Sequence, residues 1–237
     1  MPHCNLVILT GAGVSAESGV PTFRTDADGL WLGHRVEEVA TPEAFARDPA
    51  KVQGFYNARR RQLAEVVPNP AHRALADLAA RWQGRLTLVT QNVDDLHDRA
   101  HADVPTGPGF SLIHMHGELL KARCTASGTV CGWPGDLTPA EPSPFHPAGV
   151  LRPHIVWFGE IPLEMPRIEA ALAQADLFLS IGTSGAVYPA AGFVRAARAA
   201  GARTVEINLE PTKGRGVFDD GVYGPAGETL PAFLADL

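Results

Sequence analysis

Apolar residues concentrate in four short runs, and each run ends at glycine or at polar residues. The runs lie at residues 6–10, 86–90, 177–181 and 204–208. Their length and their content of Leu, Ile and Val are typical of strands buried in a parallel sheet. The sequence between them predicts helices at residues 70–82, 167–175 and 189–200. Because strands alternate with helices, we expect an α/β fold, a Rossmann-like parallel sheet with helices on both faces.

Two segments fall outside this alternation. Residues 25–69 resemble a loop followed by a helix, and residues 119–153 are rich in Pro and Gly and show no sustained period. We interpret the two insertions as one small lobe beside the sheet. The predicted domains are a discontinuous Rossmann-like sheet domain and this lobe. The bounds are 1–24, 70–118 and 154–237 for the first and 25–69 and 119–153 for the second.

The amino-acid composition indicates which kinds of partner and which cellular compartment to expect. Of the 237 residues, 45% are apolar and 19% are charged, values typical of a globular protein with one substantial core. The formal net charge of −6 counts against nucleic acid as the main partner, because that binding depends on clustered Lys and Arg. No apolar run approaches the roughly 20 residues of a membrane-spanning helix, and three cysteines form no disulfide framework. We therefore expect a cytoplasmic protein with no membrane partner.

A glycine-rich turn follows the first predicted strand. Gly11, Gly13 and Ala16 match the G-x-G-x-x-G/A pattern that places a pyrophosphate beside a helix. In a dehydrogenase an acidic residue about 20 positions further on, at the second strand, binds the ribose. The nearest acids here, Asp26 and Asp28, lie in an apparent loop, which argues against hydride transfer.

Polar residues follow the other three predicted strands as well. They are Gln91-Asn92, Gly182-Thr183-Ser184 and Asn208-Leu209-Glu210. Ligands of parallel α/β sheets bind outside the carboxyl ends of the strands, so these segments are candidate contacts. For residues 90–97 a second interpretation stays open, in which Asn92 or Asp94 only caps the following helix.

One histidine is a candidate general base. His116 lies in the sequence His114-Met115-His116-Gly117-Glu118. A lone histidine at a strand end is more often a structural hydrogen-bonding residue. An imidazole also titrates near neutral pH, however, and can accept a proton there.

In their order and spacing these motifs resemble the sirtuin family of NAD-dependent protein-lysine deacylases, of the bacterial class III, desuccinylase- and demalonylase-like type. The resemblance extends from Gly11 to Ala226. It implies that NAD is consumed, that His116, rather than His114, is the catalytic base, and that Asn92 and Asp94 assist. The implied cofactor contacts are Gly11, Ala12, Gly13, Ser15, Ala16, Glu17, Phe23, Arg24, Trp31, Gln91, Asn92, Val93, Asp94, Gly182, Thr183, Ser184, Asn208, Leu209, Glu210 and Ala226.

The resemblance also implies a reaction. The acyl oxygen of a modified lysine attacks C1′ of the nicotinamide ribose and nicotinamide leaves. His116 then deprotonates a ribose hydroxyl, which attacks the acyl carbon, and water completes the reaction. The products are nicotinamide, free lysine and O-acyl-ADP-ribose. Phe23 would shield the reacting centre and Arg24 would help to hold the cofactor.

Tyr56 and Arg59 bear on the choice of acyl group. They lie three positions apart in a segment that predicts a helix, so they share a face. One interpretation is a solvated basic helix with Tyr56 half in the core. Sirtuins that prefer negatively charged acyl groups carry the same Tyr-x-x-Arg pattern, which implies succinyl- or malonyl-lysine as substrate, with acetyl-lysine tolerated. Guanidinium binds a carboxylate through two parallel hydrogen bonds.

Residues 154–160 have two interpretations. The segment could be one more strand of the fold. Its resemblance to a sirtuin V-x-F-G-E motif instead implies that Val156, Phe158, Gly159 and Glu160 bind the substrate backbone by strand addition.

Many sirtuins hold a structural zinc ion with two pairs of cysteines, and this chain departs from that pattern. Only Cys124 and Cys131 remain, and His146 could add at most a third ligand. We expect no metal, and a lobe held together by proline-rich packing.

Two other functions stay open at this point. A mono-ADP-ribosyltransferase would pass the same cofactor intermediate to another nucleophile. A non-catalytic NAD-sensing module would bind the cofactor without turnover.

Overall fold

The computed structural model describes residues 4–22, 33–212 and 216–237. Its main sheet has six parallel strands in the order β3-β2-β1-β7-β8-β9. These are β1 Leu6–Thr10, β2 Leu86–Thr90, β3 Phe110–His114, β7 Leu177–Ile181, β8 Arg203–Asn208 and β9 Asp220–Tyr223. Three of the four predicted runs are strands with the predicted bounds, and the fourth begins one residue earlier. The predicted α/β parallel sheet is confirmed.

Helices cover both faces of this sheet. They are α5 Pro70–Arg81 and α9 Ala226–Ala235 on one face, and α7 Met165–Leu172 and α8 Phe193–Ala199 on the other. Successive residues of β1 explain the two layers, because Leu6 and Ile8 pack toward α5 and α9 while Val7 and Leu9 pack toward α7 and α8. The first predicted helix matches α5 to one residue. The second differs by two or three residues at its ends. The third begins four residues later and ends one residue earlier than predicted, because a short 3₁₀ turn, Ala190–Gly192, precedes α8.

The first insertion is helical. Its last residue, Asn69, is the N-cap of α5. Its helices are α2 Val36–Val39, α3 Pro42–Arg47 and α4 Pro49–Leu63, and two further short helices, α1 Gly13–Ala16 and α6 Leu96–His101, lie at the edge of the main sheet. Thr41 and Asp48 cap α3 and α4 with their side-chain oxygens.

The second insertion forms a small antiparallel sheet that the sequence pattern did not predict. Its strands are β4 Gly117–Cys124, β5 Val130–Gly132 and β6 Leu151–Ile155, in the order β5-β4-β6. The prolines at positions 134, 139, 142, 144 and 147 are all exposed, so the expected proline-rich packing was wrong. Ala122, Cys124, Leu137 and Leu151 form the buried apolar cluster instead.

Buried polar side chains join the two insertions. Arg60 of α4 donates from Nε to the Leu119 carbonyl at 2.9 Å and from Nη1 to Asn57 Oδ1 at 2.7 Å. Asn57 in turn bonds both the N–H and the carbonyl of Leu137. The small sheet extends two residues beyond the predicted lobe boundary at each end, and the division into domains stays a prediction. No helix in the described ranges is long and apolar enough to span a bilayer.

Candidate active site

The glycine turn brings the ends of β1 and β7 into close contact. Gly13 N–H donates to the Gly182 carbonyl at 2.8 Å, and Gly11 N–H donates to the Ile181 carbonyl at 2.9 Å. A Cβ atom on Gly13 would lie 2.7 Å from Gly182 Cα, and Gly182 has a φ of +61°. A side chain does not fit at position 13, and the positive φ at position 182 favours glycine, so both positions require glycine. Ala12 and Ala16, the other predicted residues of this turn, lie on its more accessible side.

Three predicted residues form one buried network beside this turn. Asn92 Nδ2 donates to Ser15 Oγ at 3.0 Å, and Ser15 Oγ donates to Asp94 Oδ2 at 3.0 Å. Burial raises the pKa of the Asp94 carboxyl, while hydrogen bonds from the Leu96 N–H and from Ser15 oppose that rise. Asp94 Oδ1 also accepts from the Leu96 N–H at 3.2 Å, so Asp94, one residue before the N-cap Asp95, satisfies the first free N–H of α6. The capping interpretation therefore holds for Asp94 and not for Asn92. The role of either residue as a cofactor contact stays a prediction.

The candidate base is held in one tautomer. His116 Nδ1 lies 3.0 Å from the Gln91 carbonyl oxygen, which can only accept, so Nδ1 carries the hydrogen. Nε2 then has a free lone pair. Burial lowers the pKa of His116, partly opposed by the bond to Gln91, and the imidazole is neutral at pH 7. His114 differs, because its pKa, though lowered by burial, is raised overall by the hydrogen bond and charge of Asp98.

Side-chain hydrogen bonds connect the carboxyl ends of three strands. Gln91 Nε2, after β2, donates to Thr183 Oγ1 at 3.0 Å, and Asn208 Nδ2, at the end of β8, donates to the Thr183 carbonyl at 2.9 Å. Ser184, Leu209 and Glu210 lie exposed just beyond these strand ends. The predicted nucleotide contacts thus meet at the edge of the sheet where parallel α/β folds bind ligands.

The remaining predicted cofactor contacts lie further from this edge or outside the described ranges. Glu17 Oε1 accepts from the Gly227 N–H at 2.8 Å, next to Ala226, the first residue of α9. The Val93 carbonyl accepts from the Leu119 N–H and so joins the site to the small lobe. Phe23, Arg24 and Trp31 lie outside the described residues.

The basic helix α4 is not a solvated helix on the face that carries Tyr56 and Arg59. Tyr56 is 2% exposed and Arg59 is half-buried, with its guanidinium carbon 5.7 Å from the centre of the Phe55 ring. Burial lowers the pKa of Arg59, and the neighbouring Tyr56 and Asp94 oppose that change. A cavity of about 480 Å³ lies along α4, and Arg59, Phe55 and Lys51 form part of its wall. The solvated-helix interpretation fits Arg61, which is exposed and pairs with Asp136.

The predicted substrate segment is a loop that follows β6. The Val156 N–H donates to the His116 carbonyl at 2.9 Å, and the Phe158 N–H donates to the Ala40 carbonyl at 3.0 Å. Phe158 is 47% exposed, and Gly159 has a φ of +89°. The Glu160 carboxylate faces inward and binds arginine side chains of the small lobe. The interpretation of residues 154–160 as one more strand was wrong, because the strand ends at Ile155.

The cysteines of the small lobe do not form a zinc site with the residues around them. Cys131 lies opposite Ala122 in the β4–β5 ladder, and Cys124 is two residues further along the same face. His146 is exposed. Within the described ranges no group of three His, Cys, Asp or Glu side chains is placed to hold a metal ion, whereas structural zinc needs four ligands.

Two buried histidines behind the site were not predicted from the sequence. His72 Nε2 lies 3.3 Å from Ser15 Oγ, and His97 Nε2 lies 3.0 Å from Thr10 Oγ1, with the two rings 4.9 Å apart. Burial lowers the pKa of His72 to about 4 and that of His97 well below its usual value. His72 follows Asn69 by three residues at the start of α5, a capping spacing that could have drawn attention to it.

Comparison with known proteins agrees with this geometry. The family model described as "Sir2 family" matches residues 11–189. A protein of Escherichia coli O157:H7 named "NAD-dependent protein deacylase" is 55% identical over 246 residues, which cover 100% of this chain and 85% of that protein. One of the same name from Pasteurella multocida is 56% identical over 233 residues, 97% of this chain and 96% of its own. The crystal structure of a Sir2 homologue in complex with NAD superposes with a TM-score of 0.85 at 38% identity, over 98% of this chain and 88% of the other. The chain therefore belongs to the Sir2 family, the sirtuins.

Proposed function

We propose that this protein is an NAD-dependent protein-lysine deacylase that favours succinyl- and malonyl-lysine and also accepts acetyl-lysine. The observation that carries the catalytic part is His116, a neutral imidazole whose Nδ1–H is bound to the Gln91 carbonyl and whose Nε2 can accept a proton. The names of relatives at 55–56% identity support the same activity.

NAD would be held at the carboxyl ends of β1, β2, β7 and β8. The residues there fit such a ligand, because the glycine turn leaves its backbone accessible and Gln91, Thr183 and Asn208 place amide and hydroxyl groups at one edge. NAD supplies a ribose carbon from which nicotinamide leaves, and a hydroxyl that takes the acyl group. The chain contributes a base at His116 Nε2 and a buried carboxylate at Asp94, oriented by Ser15.

The preference for a charged acyl group rests on Tyr56 and Arg59. Both lie on the buried face of α4, and Arg59 lines the cavity beside it. A guanidinium in a partly buried site binds a carboxylate strongly, since water competes less there. A charge-assisted hydrogen bond contributes about 1.5–3 kcal/mol, which corresponds to roughly ten- to hundredfold in preference.

The first test is an NAD-dependent assay on paired succinyl- and acetyl-lysine peptides, read by mass spectrometry, with His116→Tyr as the blank. We expect faster desuccinylation, O-acyl-ADP-ribose as product and no turnover in the blank. ADP-ribosylated peptide in place of O-acyl-ADP-ribose would identify a transferase instead. Absence of turnover on every acyl peptide would identify an NAD-binding module.

Replacing Arg59 tests the acyl preference directly. In Arg59→Met, desuccinylation should fall about ten- to hundredfold while deacetylation persists, because only the charged acyl group loses its partner. Arg61→Met is the matched control, since it removes an exposed arginine two residues away on the same helix. Equal loss of both activities in Arg59→Met would contradict the assignment.

A further inference from the structure

Trp157 lies within the predicted substrate segment, and its side chain is buried beside Tyr56 of α4. It is 2% exposed, and its indole Nε1–H donates to the Tyr56 hydroxyl oxygen at 2.9 Å. The two rings are 6.3 Å apart. In the chain Trp157 is flanked by Val156 and Phe158, two of the predicted substrate contacts. One side chain thus joins the segment that would bind the substrate backbone to the tyrosine that would bind its acyl group.

The direction of this hydrogen bond determines which way the Tyr56 hydroxyl hydrogen points. An indole N–H can only donate, so the Tyr56 oxygen must accept and its own hydrogen must point away from Trp157. A phenol hydrogen stays near the ring plane and has two orientations, of which the Trp157 contact blocks one. Within the described ranges the Tyr56 hydroxyl donates to no other group. Arg59, which lines the cavity beside α4, lies one helical turn further along the same face.

A charged network holds the indole in place. The Arg152 guanidinium carbon lies 3.2 Å from the centre of the Trp157 ring. Arg152 donates to Glu160 Oε1 at 2.7 Å and to Oε2 at 3.0 Å, and Arg123 donates to Oε1 at 2.6 Å. The Trp157 backbone N–H completes the ring of contacts by donating to Glu160 Oε2 at 2.8 Å. Backbone and side chain of Trp157 are both fixed, so the direction of its N–H is preset before substrate binds.

We infer that Trp157 is a specificity-determining positioning residue, which acts through Tyr56 by turning the tyrosine hydrogen toward the carboxylate of a dicarboxylic acyl-lysine. This inference rests on the proposed deacylase function. A carboxylate only accepts hydrogen bonds, so a tyrosine hydrogen aimed at it adds a third donor to the two of Arg59. The uncharged methyl of an acetyl group gains nothing from that hydrogen. Trp157 would thus contribute to the choice of acyl group without touching it.

The test compares selectivity, the ratio of kcat/KM for succinyl- and acetyl-lysine peptides. In Trp157→Phe, which keeps an aromatic ring but removes the N–H, the ratio should fall about three- to tenfold, mainly through a higher KM for the succinyl peptide. The same substitution made in a Tyr56→Phe background should change the ratio no further, because the hydroxyl through which Trp157 acts is gone. Trp82→Phe is the matched control, since it removes an indole N–H that donates to the Cys4 carbonyl at the opposite edge of the sheet.

Each outcome is decisive. A ratio unchanged in Trp157→Phe, or a fall that persists in the Tyr56→Phe background, overturns the inference and leaves the deacylase function standing. A wild-type protein with no preference for succinyl-lysine removes both the proposed acyl specificity and the inference. If Trp157→Phe does not fold, benzothienylalanine at position 157, which has sulfur in place of the N–H and the shape of tryptophan, must produce the same fall in selectivity.

Discussion

At the scale of single residues, the site depends on which side chains carry a hydrogen and on which atom. The Gln91 carbonyl leaves His116 Nε2 as an acceptor, and the Trp157 indole leaves the Tyr56 hydroxyl as a donor. In both cases a partner that can play only one hydrogen-bonding role sets the hydrogen-bonding state of a predicted site residue. Preset orientation of this kind avoids reorganisation when substrate binds.

The pH dependence of the reaction tests the role of His116. A base must be unprotonated, and burial lowers the pKa of His116 below its usual 6.5. We expect kcat/KM to change little between pH 7 and pH 8 and to fall at a pH below the usual 6.5 of a histidine. A pH–rate profile from pH 5 to 8 measures this limb.

His114→Gln separates the two neighbouring histidines. Its partner Asp98 raises the pKa of His114, so His114 would place an acidic limb at higher pH. The wild-type limb should survive in His114→Gln. If the limb moves or disappears in that variant, His116 is not the group that titrates.

At the scale of secondary-structure elements, the site is a junction between strand ends. The turn after β1 packs on the turn after β7 with no room for a side chain between them. The loop after β2 supplies Gln91, Asn92 and Asp94, and the start of β4 follows His116. These elements come from distant parts of the chain, so small displacements of one turn change the spacing of the whole site.

Gly13→Ala tests how tightly this junction is packed. Its Cβ would lie 2.7 Å from Gly182 Cα, a backbone atom that can move only with the strand end. Overpacking of this kind costs about 1–3 kcal/mol, and we expect KM for NAD to rise about tenfold or more. Gly132→Ala in β5 is the control, because a Cβ there meets nothing within 4 Å. An unchanged KM for NAD in Gly13→Ala would show that the junction yields without cost.

At the scale of the whole molecule, the buried histidines connect the sheet, α5 and α6. His72 and His97 pack edge to face beneath the site, and Asn69 links α5 to α1 by donating to the Val14 carbonyl at 2.8 Å. Both histidines are buried in the neutral form. Protonation of either would place an uncompensated charge in the core, so folding stability depends on pH.

Acid should therefore destabilise the fold through His72. Burial lowers the pKa of His72 to about 4 in the folded state, against 6.5 when unfolded, so the unfolded chain takes up the proton first. Above pH 6.5 His72 is neutral in both states and the free energy of unfolding has its full value. As the pH falls toward 4, the free energy of unfolding decreases by about 3 kcal/mol. Urea unfolding at several pH values between 7 and 4.5 measures the slope. His72→Gln should reduce the slope and the exposed-site variant His146→Gln should not; equal slopes in all three proteins would contradict this account.

The sequence by itself determined the strands β1, β2, β7 and β8, the glycine turn and the polar residues at the strand ends. Buried parallel strands are apolar on both faces, so local composition marks them. It did not mark β3, β4, β6 and β9, whose residues are partly exposed or include Arg, Pro and His. Tertiary structure alone decided the long-range partners of the polar side chains at the site. Trp157 and Tyr56 are 101 residues apart, Ser15 lies 57 and 79 positions from its partners His72 and Asp94, and Arg60 lies 59 positions from Leu119. Local pattern records how deeply a residue is buried, whereas hydrogen-bond direction and pKa depend on atoms that only the packing of distant segments brings together.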